Sequence, residues 1–200
     1  MDLQISVFLL FILFTAGHSF RCYECNSLTG SCAGQTVKTC PIGSSYCVTS
    51  TAVVKVGDTS TKVKIKDCAP ACQSVSMNTG LSVVTSSCCN TDQCNAQDPP
   101  DPNPNGKKCF YCDGQSCSNI LNCLGTEDHC IKATVAYGGQ SVSVKGCASK
   151  SICDATESVH NVHNIESISC CEGNLCNGAQ SVSQSFLFLC CSLLSYFLLH

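Results

Sequence analysis

The cysteines of this chain occur as the same series of ten twice, and this series constrains the fold more than any other feature. Each series opens with Cys-x2-Cys, has six residues between its fourth and fifth members, and closes with Cys-Cys-x4-Cys-Asn. The first series is Cys22, Cys25, Cys32, Cys40, Cys47, Cys68, Cys72, Cys88, Cys89 and Cys94; the second is Cys109, Cys112, Cys117, Cys123, Cys130, Cys147, Cys153, Cys170, Cys171 and Cys176. We interpret the chain as a tandem duplication.

The density of cysteine, 22 of 200 residues, is typical of exported disulfide scaffolds and not of cytosolic proteins. We place the first domain at residues 20–95 and the second at 109–177, with a proline-rich linker at 96–108. Domains of this size have a marginal hydrophobic core. Five disulfides in each, worth about 2–4 kcal/mol apiece, would supply the missing stability. Ten cysteines can pair in several hundred ways, so the spacing alone does not select the pairs.

The segments between the cysteines have the alternation and the β-branched residues of strands, and no helical period of useful length occurs. A hairpin is predicted from 51–56 and 61–66 around Gly57–Ser60, and another from 131–137 and 140–145 around Gly138-Gly139. Third hairpins are predicted to turn near Asn78–Gly80 and near His160-Asn161. The predicted fold class is therefore all-β and disulfide-rich.

Both chain ends are apolar. Residues 5–17 form a run that is too short to span a bilayer and suits a signal peptide, with cleavage predicted after Ser19. At the other end, small residues from Asn177 precede a polar stretch and the apolar run 186–199, the order of a glycosylphosphatidylinositol signal. We predict Asn177 as the attachment residue and 178–200 as a propeptide that is removed. These signals predict the outer face of the plasma membrane as the location.

The Cys-x2-Cys opening, the long middle loop and the Cys-Cys-x4-Cys-Asn ending resemble the lymphocyte antigen 6 and urokinase receptor family, whose domains have the three-finger fold. The resemblance implies two tandem three-finger domains. It implies the pairs Cys22–Cys47, Cys25–Cys32, Cys40–Cys68, Cys72–Cys88 and Cys89–Cys94, then Cys109–Cys130, Cys112–Cys117, Cys123–Cys147, Cys153–Cys170 and Cys171–Cys176. It also implies that the side chains of Asn95 and Asn177 bond to the backbone where the disulfides meet.

One charged stripe is a candidate binding feature. Lys62, Lys64 and Lys66 alternate with apolar residues, so their side chains share one face of a strand. They are either a contact for an anionic partner or solvated lysines that discourage edge-to-edge pairing. The formal net charge of −3 provides no strong positive field, so nucleic acid is not an expected partner.

Catalysis, metal binding and cofactors are not predicted. The Cys-x2-Cys motifs are also compatible with zinc or redox chemistry, but complete cysteine sets in an exported chain favour disulfides. His160 and His163 lack partners at a recognised metal-binding spacing. No nucleophile elbow, phosphate loop or H-E-x-x-H occurs. The favoured function is a glycolipid-anchored, receptor-like protein whose finger loops bind an extracellular protein. The alternative is a secreted phospholipase inhibitor with the same two-domain layout.

Overall fold

The computed structural model describes residues 19–156 and 165–178, and within them the chain is almost entirely strands. The strands are β1 (Arg21–Ser27), β2 (Thr36–Thr39), β3 (Tyr46–Val56), β4 (Thr59–Ala69), β5 (Val75–Asn78), β6 (Ser82–Cys89), β7 (Pro104–Tyr111), β8 (Asn119–Leu124), β9 (His129–Tyr137), β10 (Gln140–Ala148) and β11 (Ile165–Cys171). The all-β prediction is confirmed. The sequence pattern missed one short helix, α1 (Lys150–Thr156).

The chain forms two compact units, and their limits do not follow the two sequence repeats. Among the described residues, the first unit contains 19–50, 63–73 and 87–99, and the second contains 51–62, 74–86, 100–156 and 165–178. The linker that we predict at 96–108 is shorter in the structure, because Pro104–Tyr111 forms β7.

In the first unit, β1 is the central strand. It pairs antiparallel with β2, with Arg21 opposite Thr39, and with β4, with Cys25 opposite Lys66. The side chains of Cys22 and Cys47 are fully buried. Long apolar side chains contribute little here, so the disulfides themselves form much of the interior, as expected for a domain this small.

In the second unit, β9 pairs with β10 over its whole length and also with β11, while β7 and β8 form a separate two-stranded sheet. Gly138 and Gly139 connect β9 to β10 and both have positive φ angles, 58° and 78°. Two consecutive positive φ angles match the right-handed twist of the hairpin, which explains this glycine pair. The predicted hairpin around these residues is confirmed.

The short strand β5 pairs with β6 and also with β10, with Cys147 opposite Asn78. The predicted turn near Asn78–Gly80 is confirmed, whereas the turn near His160-Asn161 lies outside the described residues. Gly146 makes the approach of β10 to β5 possible: a Cβ atom there would lie 2.1 Å from the carbonyl oxygen of Asn78. Any side chain at position 146 would separate the two strands.

The turn of the first repeat's middle hairpin differs from the prediction in its length. β3 ends at Val56 and β4 begins at Thr59, so only Gly57 and Asp58 connect them, and not the four residues 57–60. Gly57 has a φ of 59°, which a two-residue hairpin turn requires at its first position. The threonine and serine that follow are already in the strand.

Candidate functional site

Each repeat has a hub at which two disulfides touch. The sulfur atoms of Cys22 and Cys40 are 3.4 Å apart, and those of Cys109 and Cys123 are also 3.4 Å apart. Within residues 19–156 and 165–178 the structure has ten disulfides, and they are the ten pairs that the family resemblance implies. Two groups of three cysteine sulfurs lie within 4.8 Å of one another. All six atoms are oxidised, so they offer no thiolate to a metal.

The terminal asparagine of each repeat bonds to the backbone beside the hub. Asn95 Oδ1 accepts a hydrogen bond from the N–H of Tyr23 at 2.8 Å, and its Nδ2 donates to the carbonyl of the same residue at 2.8 Å. Asn177 makes the same pair with Phe110, at 2.9 Å each, and its Nδ2 also reaches the carbonyl of Ile131 at 2.9 Å. Through these hydrogen bonds, the asparagine that ends each repeat is connected to the first and middle fingers of that repeat.

The lysine stripe is not the exposed surface that we expected. Lys62 is exposed, but Lys64 and Lys66 are only 5% and 2% exposed. Ile65, which lies between them, is 44% exposed. The lysine side of this part of β4 therefore faces inward and the apolar side faces solvent. The expectation of three solvated ammonium groups is wrong for Lys64 and Lys66, because polar groups from other segments surround them.

These polar groups include an aspartate from the segment that follows the first repeat. Asp98 bonds to both ammonium groups: Oδ2 to Lys64 Nζ, and Oδ1 to Lys66 Nζ at 3.1 Å. Lys66 Nζ also donates to Gln35 Oε1 at 2.9 Å and to the carbonyl of Asn95 at 2.9 Å. The hydrogen bond from Lys64, followed by the one from Lys66, lowers the pKa of the Asp98 carboxyl. The carboxylate thus pairs with two buried ammonium groups and offsets one of their two positive charges.

The second repeat has a lysine at the matching position but not the matching carboxylate. Lys66 and Lys145 each stand two residues before the sixth cysteine of their series. Lys145 is 8% exposed, donates to the carbonyl of Cys117 at 3.4 Å, and places its Nζ 5.9 Å from the ring centre of Phe110. Burial lowers the pKa of Lys145, and the charge of Lys132 lowers it further. Among the described residues, no acidic group forms an ion pair with Lys132 or with Lys145.

The second unit also contains a buried carboxylate. Glu127 is 0% exposed; its Oε1 accepts a hydrogen bond from the Ser76 hydroxyl at 2.7 Å, and its Oε2 accepts one from the N–H of Leu124 at 2.8 Å. Burial raises the pKa of this carboxyl, although the two hydrogen bonds oppose the rise. Glu127 therefore has hydrogen-bond partners but no cation among the residues that the structure describes.

Apolar side chains are exposed near several finger tips. Val54 and Val56 lie at the end of β3 and are 46% and 75% exposed, and Leu81 in the β5–β6 turn is 43% exposed. A cavity of about 410 Å³ lies in the second unit between the β5–β6 turn, the loop before β8 and the outer part of β10. Leu81, Val142 and Val144 line it, and Val142 is 46% exposed. Accessible apolar surface with polar residues at its margin is typical of sites that bind proteins or ligands.

A hub of disulfides, a terminal asparagine that bonds the fingers and long two-stranded hairpins define the class of disulfide-stapled, three-finger-like domains. The u-PAR/Ly-6 domain model matches residues 18–97 and again 105–179. The chain belongs to the u-PAR/Ly-6 family.

Curated relatives include the urokinase plasminogen activator surface receptors of Rattus norvegicus and Mus musculus, 31% and 30% identical over 90% of this chain. The chain spans 62% and 63% of the length of these two receptors. It is also 31% identical to the phospholipase A2 inhibitor NAI of Notechis ater, over 70% of this chain and 80% of the inhibitor.

Among solved structures, mouse TEX101 aligns with 78% of this chain and 99% of its own, at 19% identity and a TM-score of 0.32. Within residues 19–156 and 165–178, no helix is long and apolar enough to cross a membrane.

Sequence reasoning did not identify Asp98, Lys132, Lys145 or Glu127. A signal for Lys145 was present, because the duplication aligns it with Lys66. The contacts of Asp98 and Glu127 carried no comparable signal, since they depend on how separate segments fold back on each other.

Proposed function

We propose that this chain is a receptor-like protein of the outer cell surface that binds an extracellular protein through its fingers and is held by a glycolipid anchor. Its relationship to two proteins that are surface receptors by name supports the receptor-like class. Exposed apolar side chains near the finger tips support a protein ligand, because burying such side chains is a main source of binding energy.

The cavity lined by Leu81, Val142 and Val144 is the observation that carries the binding proposal. Its lining also includes Ser116, Ser141 and Ser143; the Ser141 hydroxyl donates to the carboxylate of Glu166 at 2.8 Å, and the Ser116 hydroxyl is hydrogen-bonded to that of Ser118. An apolar anchor side chain from a partner would fill this space, and the Ser143 hydroxyl would bond to the partner's backbone. This arrangement matches the apolar centre and polar rim of protein interfaces.

A binding screen of extracellular proteins against the mature ectodomain tests this proposal. A ligand found in this way should bind at least about tenfold more weakly to Val142→Ser and Leu81→Ser, a loss of roughly 1.4 kcal/mol. Ile120→Ser is the matched control, because Ile120 is 57% exposed in the same unit but does not line the cavity. Equal losses in all three variants would contradict binding at this cavity.

The anchor at Asn177 is tested separately on expressing cells. Phosphatidylinositol-specific phospholipase should release the displayed protein, and deletion of Phe186–His200 should convert it to a secreted form. Replacing Asn177-Gly178-Ala179 with three bulky residues should abolish display. Display that survives this replacement would move the attachment toward Ser181 or Ser183.

A secreted phospholipase inhibitor is the second candidate, and the similarity to the inhibitor from Notechis ater favours it. The purified ectodomain should then inhibit a secreted phospholipase A2 at stoichiometric concentration, and the protein should accumulate in the medium without phospholipase treatment. Phospholipase-dependent release together with no inhibition would eliminate this candidate.

That Lys62, Lys64 and Lys66 contact an anionic partner stays a prediction. Its test is now limited to the exposed lysine. Lys62 is the exposed member of the three, so Lys62→Ser probes the contact without removing the buried ammonium groups. Weaker ligand binding at low salt, with unchanged thermal stability, would support the contact.

A further inference from the structure

A second, polar cavity lies at the end of the second repeat. Its volume is about 250 Å³, and Lys132, Ser169, Cys171, Cys176, Asn177 and Gly178 line it. Among the described residues that line it, none is a carboxylate and Lys132 is the one ionised side chain. The amide group of Asn177 is already bonded to the backbone of Phe110 and Ile131, so it is not available to a ligand. The Ser169 hydroxyl makes only a long hydrogen bond, to the carbonyl of Lys132 at 3.5 Å, so this hydroxyl and the Lys132 ammonium are the groups here that could bind an anion.

The positive charge of Lys132 is reinforced by Lys145. The two lysines are directly opposite each other on β9 and β10, so their side chains leave the sheet on the same face. Like charges in this position destabilise a hairpin unless an anion neutralises them. The neighbouring acid Glu172 approaches His129 at 3.5 Å instead. Among the described residues, the structure thus contains two cations on one face without a balancing anion.

The first repeat contains such an anion, in the form of a carboxylate from its own chain. There, Lys66 receives the carboxylate of Asp98, three residues after the terminal Asn95. The residue three positions after Asn177 is Gln180, which has no charge. The second repeat has the buried lysine but does not encode the matching carboxylate. A negative group that arrives just after Asn177 would complete the second repeat in the same way.

A glycolipid anchor would supply such a group. It joins its protein through an amide from ethanolamine to the last main-chain carbonyl, and the ethanolamine carries a phosphate. The N–C–C atoms of that ethanolamine correspond to N, Cα and C of Gly178, whose N–H lies 3.3 Å from the carbonyl oxygen of Leu175. The phosphate would follow immediately, beside the cavity that Asn177 and Gly178 line.

We propose that Lys132 and Ser169 form a phosphate-binding site, supported by the charge of Lys145, and that its occupant is the phosphate of an anchor attached to Asn177. This proposal rests on the anchored function proposed above. The site would bind the ethanolamine phosphate of the anchor to the sheet. The orientation of the second repeat relative to its attachment point would therefore be fixed.

The test uses the full-length chain, expressed on mammalian cells and released with phosphatidylinositol-specific phospholipase C, which leaves the ethanolamine phosphate on the protein. The ³¹P resonance of this phosphodiester should have a different chemical shift in wild type and in Lys132→Gln, and unfolding should abolish the difference. Lys108→Gln, a change of an exposed lysine outside the cavity, should leave the resonance at its wild-type position.

A second arm uses the secreted form without an anchor and titrates it with inorganic phosphate. Lys132→Gln should weaken phosphate binding by about tenfold or more, and Lys145→Gln by a smaller factor because it acts through its charge. Circular dichroism should show that both variants are folded. An anchor resonance that does not respond to Lys132→Gln, with no phosphate binding to the secreted form, would overturn the site and leave the anchored function intact.

Two further outcomes separate the sources of the phosphate. Protein that carries no ethanolamine phosphate, yet binds inorganic phosphate through Lys132, would overturn the anchored function and keep the site. An anchor resonance unaffected by Lys132→Gln, combined with Lys132-dependent binding of inorganic phosphate, would overturn the anchor as occupant and indicate a free phosphate or a lipid headgroup.

Discussion

Lys66 and Lys145 occupy matching positions in the two repeats but have opposite electrostatic surroundings. Lys66 bonds to a carboxylate, a side-chain amide and backbone carbonyls, whereas Lys145 has one carbonyl at 3.4 Å and the face of Phe110. Glu127 extends the contrast, because it too is buried without an ion-pair partner among the described residues. The first repeat pairs its buried lysines with a carboxylate, and among the described residues the second does not.

This difference shows that duplication conserved the scaffold and not the charge balance. The disulfides and the terminal asparagine are equivalent in both repeats, so both retain the same fold. Uncompensated buried charges lower stability, and they are found in proteins most often where a ligand or a partner makes use of them. We therefore expect buried charges of the second repeat to contribute to function while they lower its stability.

The largest expected effect compares Lys66→Met with Lys145→Met. Removal of the Lys66 ammonium takes the donor away from acceptors in two segments, Gln35 and residues 95–98, and we expect a loss of about 2–3 kcal/mol in the free energy of unfolding. Lys145→Met should change it by less than about 1 kcal/mol, because a buried cation with few partners contributes little. Denaturant titration with the disulfides intact measures both values. Equal losses would show that the two lysines are equivalent after all.

Asp98→Asn should have the next largest effect. The amide cannot neutralise Lys64 and Lys66, but the Asp98 side chain is 44% exposed, so solvent screens part of the loss. We expect a destabilisation of about 1 kcal/mol and a clear dependence on salt concentration. Asp101→Asn, an exposed aspartate of the same segment, is the control and should have no measurable effect. A similar loss in both variants would exclude a specific role for Asp98.

Glu127→Gln tests the buried carboxylate through pH. Because the pKa of Glu127 is raised in the folded state, its contribution to stability is fully present below the unfolded pKa, about 4.5. That contribution decreases as the pH rises through the folded pKa. The glutamine variant should therefore equal wild type near pH 4 and have the higher melting temperature at pH 7. Thermal melts across this range check the sign, and a variant that is less stable at pH 7 would contradict it.

The smallest effect is expected from Lys132→Thr. Thr49 is the residue of the first repeat that aligns with Lys132, so this change makes the second repeat more like the first. Removal of one of two opposed ammonium groups should stabilise the unanchored protein by about 0.5 kcal/mol. The gain should disappear in saturating inorganic phosphate if the anion already balances Lys132 in wild type. A gain that is independent of phosphate would mean that the anion does not screen this pair.

Much of the scaffold could be predicted, because the constraints that determine it are local and repeated. Gly138-Gly139 encodes the turn between β9 and β10 through backbone conformation alone. The family's pairing pattern implied each cysteine pair, because both series are complete. The helix Lys150–Thr156 was missed because its seven residues are too few for a period to be detected.

The charged groups could not be predicted in the same way. Alternation placed Lys62, Lys64 and Lys66 on one face, but burial of that face depends on Asp98, which lies 34 residues after Lys64 in the chain. The contact between Ser76 and Glu127 spans 51 residues and involves no repeated motif. Such pairs depend on the tertiary arrangement, and a hydrophobic pattern contains no information about them.

The hydrogen bonds of Asn177 also have a consequence for the chemical ageing of the protein. In the secreted form without an anchor, Asn177 is still followed by Gly178, and an Asn-Gly sequence is the one in which the next backbone nitrogen most readily attacks the side-chain amide, so that the asparagine deamidates. Here Nδ2 donates to the carbonyls of Phe110 and Ile131 and the residue is 4% exposed, so the side chain is held away from the geometry of ring closure. Deamidation would place a carboxylate against these carbonyl oxygens. We expect Asn177 to deamidate slowly in the native protein and rapidly after reduction of the disulfides. The fraction of deamidated Asn177 would then report how long the protein has been unfolded.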